Sequence, residues 1–250
     1  MGRYLVMLVA IACYGAFFAS FVYLVGWIGA FDFMPSSVDK ALGGEATGSL
    51  AMALAINAGL IALFGIQHSV MARPGFKESW TKIVPAASER SLYCLATAGA
   101  LALLFVFWQP VEGVLWSVQN ETARLAIWAV FWLGWGILFI STWLLNHFEL
   151  FGLQQAWFNM TGRGEGQEPQ MRTPLFYRVV RHPIYTGFFI AFWATPSMTY
   201  SHLFAAIGFT IYIMVGISYE ERDLLEVFGE EYAAYRRKVG AFIPGIGKVS

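Results

Sequence analysis

From Tyr4 to Ala30 the chain runs without a single charged side chain. A helix rises 1.5 Å per residue, so this stretch is long enough to cross the roughly 30 Å hydrocarbon core of a bilayer. It is about twice the length of a signal-peptide core, has no small-x-small cleavage site and precedes more segments of the same kind, so we read it as structure. Three further apolar stretches qualify as spans, at about 49–71, 91–108 and 124–146. The chain as a whole is 58% hydrophobic and 13% charged, against about a quarter charged in soluble domains.

Residues 184–218 are harder to place, being too long for one span and slightly short for two. Their middle, TPSMTYSH, combines Pro196 with hydroxyl residues, which is turn chemistry. The segment therefore reads as a hairpin of two short helices, about 184–197 and 201–218. After Glu220, the residues Leu224, Phe228, Tyr232, Tyr235, Val239 and Phe242 recur every three or four positions among charges. That pattern predicts an amphipathic helix at the membrane interface, either as an anchor or as a lid. With no strand pattern and no internal repeat, the expected fold is an all-α integral membrane protein. It has six apolar helices, four of them full spans, in a single domain over 1–250.

Lysines and arginines of short loops set orientation. With the N-terminus inside, all of them except Lys40 and Arg124 fall on the inner side. A single span over 184–218 would put the basic tail outside, so the charge pattern also favours the hairpin. The segment NMTGRGEGQEPQMRT, 159–173, reads as an inner loop. Zero net charge gives no case for nucleic acid. Cys13 and Cys94 both lie inside apolar runs, which excludes a disulfide framework.

Polar groups at membrane depth are costly and invite a functional explanation. In this topology His68, His147, Glu149, His182, Glu220 and Glu221 all reach the inner leaflet, whereas His202 lies at the outer turn and receives no role. A metal site is disfavoured, because His147 and Glu149 are two residues apart, which on a helix points them away from each other, and no His-x-x-x-His pair exists. The alternative is a polar pocket for a charged cofactor. Pro183 suits the first turn of a helix whose unpaired N–H groups can hold a carboxylate, while Glu220 or Glu221 can take an amino group or ribose hydroxyls. No G-x-G-x-x-G fingerprint is present, which excludes a Rossmann domain.

RHPIYTG, then an apolar hairpin, then EERDLLEVFGEEYAAYRRKVGAFIP resembles the C-terminal region of the isoprenylcysteine carboxyl methyltransferase and phospholipid methyltransferase superfamily. The resemblance covers about residues 178–244. It implies S-adenosylmethionine as cofactor at the cytosolic face, with Arg181, His182, Tyr185 and Gly187 forming one wall of its site and Glu220 and Glu221 the other. Sterol reductases, which use NADPH, share this architecture, so fold alone does not fix the reaction. GIQHSVMARPGFK, ERSLY and NHFELFGLQQ resemble the bacterial membrane-bound methanethiol S-methyltransferases, which make dimethyl sulfide. That implies a small volatile thiol as acceptor and the bacterial cytoplasmic membrane as location. Residues 1–158 would then form the acceptor side and 174–244 the cofactor side.

A thiol reacts as its thiolate and so requires a base. His68 or His147 is the expected base, with Glu149 supporting or orienting it. The i, i+2 spacing leaves Glu149 equally able to cap a helix or pair with Arg178. Other readings are methylation of a prenylcysteine carboxylate or a phospholipid amine, an NADPH-dependent reductase, or a non-catalytic membrane partner protein.

Overall fold

The structure is a computed structural model and describes residues 2–43, 48–163 and 170–248. Its helices are α1 (Arg3–Ile28), α2 (Leu50–Ala72), α3 (Pro74–Trp80), α4 (Ala86–Phe107), α5 (Glu121–Leu145), α6 (His147–Leu150), α7 (Leu153–Thr161), α8 (Pro183–Trp193), α9 (Tyr200–Phe228) and α10 (Glu230–Lys238). Two short strands, β1 (Val114–Ser117) and β2 (Ser197–Thr199), pair with each other.

Among the described residues α1, α2, α4, α5 and α9 are long and apolar enough to cross a membrane, and α8 is a shorter apolar helix. Large apolar side chains such as Ile66, Leu125, Leu133 and Ile211 lie on their outer faces, more than half exposed. In water these would be a liability, but against acyl chains they are at home. This is an all-helical integral membrane protein, as the apolar runs predict.

Local chemistry sets the helix ends. The Ser49 hydroxyl accepts from Met52 N–H (3.3 Å) at the start of α2, and Asn120 Oδ1 accepts from Ala123 N–H (2.9 Å) at the start of α5. Proline opens α3 and α8, where its missing N–H costs nothing. Asn146 at φ 100° ends α5, and Gly152 at φ 88° separates α6 from α7.

Three expectations change. The second arm of the hairpin is not a short helix over 201–218 but the 29-residue α9. The run EERDLLEVF continues it, because Glu, Arg and Leu are good helix formers, and charge alone does not end a helix. Consequently the tail is not one amphipathic helix. Leu224 and Phe228 belong to α9, Tyr232 and Tyr235 to α10, and Val239 and Phe242 lie beyond both. Gly229, at φ 52° and ψ −126°, makes the break. Third, the turn segment holds β2, which a sequence scan for strands misses because three residues have meaning only beside a partner. Six residues of the expected inner loop, 164–169, lie outside the described residues.

The chain divides into two compact units, the first comprising Met1–Gly113, His147–Gln167 and Thr199–Ala205, the second Val114–Asn146, Glu168–Met198 and Ala206–Ser250. In the first, α4 packs against α1 and α2, and α7 against α1. The segment after α1 folds inward. Val38 is fully buried, its N–H donates to Trp27 O (3.0 Å), and its carbonyl accepts from Trp108 Nε1 (3.0 Å). Buried Ser36 donates to Phe105 O (2.8 Å). Asn57, buried within α2, donates to Gln109 O (2.7 Å) and accepts from Gln109 N–H (2.8 Å), so this polar side chain satisfies backbone past the end of α4. The residue without an assigned role, His202, is buried, with its N–H donating to Thr199 Oγ1 (2.9 Å). Thr199 in turn donates to Asp39. Burial holds the Asp39 carboxyl above its ordinary range, partly offset by that threonine and the nearby His202.

In the second unit α5 and α8 cross at backbone contact. A Cβ on Gly187 would lie 2.6 Å from Gly134 O and 2.8 Å from Leu138 N, and one on Gly134 would lie 2.8 Å from Gly187 O. The glycine of RHPIYTG is therefore a helix-crossing residue.

Candidate active site

Arg181 and His182 immediately precede α8, and Glu220 and Glu221 lie on α9 some two turns before Gly229. Folding of the hairpin brings them together in the second unit. Arg181 is 5% exposed and donates through Nε to Glu221 Oε1 (2.8 Å), with Nη2 also 2.6 Å from that oxygen. Its remaining donors reach Arg236 O (3.3 Å), Val239 O and Gly247 O (3.2 Å). Glu221 Oε1 also accepts from His182 Nε2 (3.1 Å), and Oε2 lies 3.1 Å from Arg236 Nε. A carboxylate can only accept, so His182 carries its hydrogen on Nε2.

The tail closes the cluster from below. Arg181 N–H donates to Gly240 O (2.8 Å), His182 N–H to Ala241 O (3.0 Å), and Thr186 Oγ1 to Phe242 O (2.8 Å). Tyr235 donates to Tyr177 O. Burial raises both phenols, Tyr235 to about 12, so they stay protonated donors across the working pH range.

Glu220 contrasts with its neighbour. Its side chain is 42% exposed, while its Oε2 is buried without a hydrogen-bond partner. The nearest cation-capable atom, His182 Nδ1, is 3.6 Å away, outside hydrogen-bond reach. Tyr185 is half-buried with its ring 5.6 Å from that of His182. The polar face available to a ligand is thus Glu220 and the His182–Tyr185 ring pair, while Arg181 and Glu221 are engaged by the chain itself and Gly187 by α5.

In the first unit the three N-terminal motif segments are joined by direct contacts. His68 of GIQHSV, on α2, has Nδ1 3.1 Å from Thr97 Oγ1, and its carbonyl accepts from Tyr93 OH (3.2 Å), the tyrosine of ERSLY on α4. The NHFELFG segment reaches the same helix, since a Cβ on Gly152 would lie 2.6 Å from Ser91 Oγ and 2.7 Å from Ser91 N. His147 is 4% exposed, with Nε2 2.8 Å from Tyr14 OH and Phe151 and Phe148 against its ring. Burial lowers its pKa from the ordinary histidine value, favouring neutral imidazole. Glu149 is exposed, and its backbone carbonyl accepts from Gln155 Nε2 (3.1 Å). Among the described residues no three His, Cys, Asp or Glu side chains are grouped as metal ligands.

Sequence reasoning missed Tyr14, Thr97 and Arg236. Tyr14 is one aromatic among many in α1. Thr97 stands four residues after the motif tyrosine, a spacing that places both on one face of α4. Arg236 sits in a run of basic residues that reads equally well as membrane-surface charge.

These features define a helical membrane protein with one charged and one neutral polar centre, each built from side chains of several helices. Comparison with known proteins makes the assignment specific. The chain is 44% identical over 244 residues to the methanethiol S-methyltransferase of Mycobacterium tuberculosis, covering 98% of each. It is 44% identical to that of Crocosphaera subtropica over all of this chain and 96% of the other. To methanethiol S-methyltransferase 2 of Bradyrhizobium diazoefficiens it is 46% identical, over 97% of this chain and 91% of the other. No protein-family model and no solved structure matches the chain. The chain belongs to the methanethiol S-methyltransferase family.

Proposed function

We propose that the protein transfers a methyl group from S-adenosylmethionine to a small thiol, methanethiol, giving dimethyl sulfide. The observation that carries the reading is near full-length identity to methanethiol S-methyltransferases, with all three N-terminal motif segments in mutual contact. Glu220 supports the donor: a buried carboxylate oxygen without a hydrogen-bond partner, on a half-exposed side chain, suits the ammonium or ribose hydroxyls of that molecule. His182 and Tyr185 would complete this face, with Arg181 and Glu221 holding His182 in place.

S-adenosylmethionine supplies an electrophilic methyl group on a sulfonium. The protein must align the acceptor in line with it and exclude water. It must also take the thiol proton, because a thiol with a pKa near or above about 8.5 is mostly un-ionised at neutral pH. His68 or His147 serves as base. Glu149, exposed on the opposite side of its short helix from buried His147, would act at the mouth of the site rather than on that imidazole. We place the protein in a bacterial cytoplasmic membrane with its termini and this chemistry on the cytosolic side, the side on which the basic residues concentrate.

Purified protein given methanethiol and methyl-labelled S-adenosylmethionine is expected to release labelled dimethyl sulfide, measured by gas chromatography. Label found instead on a prenylcysteine or an amine lipid, or tight NADPH binding in its place, would overturn the assignment.

A further inference from the structure

The two candidate bases are held differently, and the difference assigns the atom that takes the proton. Thr97 Oγ1 has one hydrogen to give. It lies 3.0 Å from Tyr93 O, the i−4 carbonyl to which helical threonines back-bond, and 3.1 Å from His68 Nδ1. With its hydrogen on that carbonyl, the hydroxyl oxygen can only accept from Nδ1. In a neutral imidazole one nitrogen carries the hydrogen and the other the lone pair. We infer that Thr97 is a positioning residue for the thiol reaction, holding His68 as the Nδ1–H tautomer so that Nε2 is the basic atom.

This rests on the thiol-methylation reading and deepens it. Tyr93 supports the same orientation from one turn earlier on α4, with its hydroxyl on the His68 carbonyl and its ring 4.9 Å from the imidazole. Phe64, one turn earlier on α2, stacks at 5.5 Å and 15°. The ring is therefore fixed in plane by aromatics and in rotation by one hydrogen bond. His147 has the other build. Its Nε2 already meets the Tyr14 hydroxyl and it is nearly fully buried among phenylalanines. It is a packed core histidine, and the base is His68. In the reaction the thiol S–H bond breaks and its hydrogen goes to Nε2 as a proton. The electron pair stays on sulfur and forms the new S–CH3 bond as the donor's sulfonium–methyl bond breaks, leaving a neutral thioether. The imidazolium then returns its proton to solvent.

The test uses the full chain in detergent with 15N-labelled histidine, the His68 signals being assigned by their loss in His68→Gln. Wild-type His68 is expected to show a protonated Nδ1 and an unprotonated Nε2 at pH above its titration. Thr97→Val, nearly the same shape, should mix the tautomers and lower kcat about tenfold, the scale of one hydrogen bond, with the KM for S-adenosylmethionine unchanged. Thr97→Ser should restore both signatures. A wild-type Nε2–H tautomer, or a Thr97→Val enzyme at wild-type rate, overturns the inference while methyl transfer stands. No dimethyl sulfide from the wild type would instead overturn the thiol reading, and with it the purpose assigned to the tautomer.

Discussion

The charged centre around Glu221 and the neutral one around His68 solve the same problem, polar groups held within an apolar fold, in opposite ways. Glu221 meets two arginines and a histidine, and one of those arginines also holds three backbone carbonyls. His68 is held through one ring nitrogen, one carbonyl and two aromatic faces. A buried charge is tolerated only when over-determined, because any lost partner leaves another charge stranded. A neutral imidazole costs far less to bury, so it can remain lightly held and available for a proton. The difference separates a scaffold from a reagent.

That contrast can be broken. The largest effect is expected from Glu221→Ala, which strands Arg181, His182 and Arg236 together. A loss of about 3–5 kcal/mol is expected, visible as a lowered unfolding midpoint and loss of donor binding. Unchanged stability would mean the cluster is no scaffold. Glu220→Gln next door should leave the midpoint in place yet weaken S-adenosylmethionine binding by about tenfold or more in calorimetry, the scale of a charged hydrogen bond. Equal effects of the two substitutions would erase the distinction between them.

Gly187→Ala should destabilise by about 1–3 kcal/mol through overpacking against the α5 backbone, read by thermal denaturation in the same detergent. On the neutral side, Tyr14→Phe removes one hydrogen bond to His147 and is expected to cost about 1 kcal/mol. Because the folded pKa of His147 lies below its ordinary 6.5, its contribution is full above that pH. It is lost as pH falls through the lowered native value. His147→Gln should flatten that part of the stability profile. The smallest effect belongs to Arg237→Ala, whose exposed pair with Glu230 should be worth under about 1 kcal/mol.

Where the sequence was informative, covalent proximity or periodicity did the work. The apolar runs located the spans because bilayer thickness admits few lengths. RHP and EE were legible as neighbours because they stand at the feet of one hairpin. The joining of Arg181 to the carbonyls of Val239 and Gly247 was not, since a backbone carbonyl has no residue type to read. Thr97 and Tyr14 were equally silent, each being an ordinary residue in an apolar helix until a histidine from another helix is placed beside it. The end of α9 was misjudged because the reading took loss of hydrophobicity for loss of helix. Only Gly229, with a backbone angle that other residues avoid, ends it.

The crossing of Gly134 and Gly187 has a mechanical consequence. Each helix fills the place where the other's first side-chain carbon would stand, so the pair has no clearance for sliding, rolling or an intervening acyl chain. α5 and α8 therefore move as one solid piece, and His182, joined directly to α8, inherits that stiffness. Substitution at either glycine alone meets backbone rather than a side chain that can yield, so neither position can drift without the other. A contact made of two missing side chains thus fixes the platform on which the donor-side residues stand.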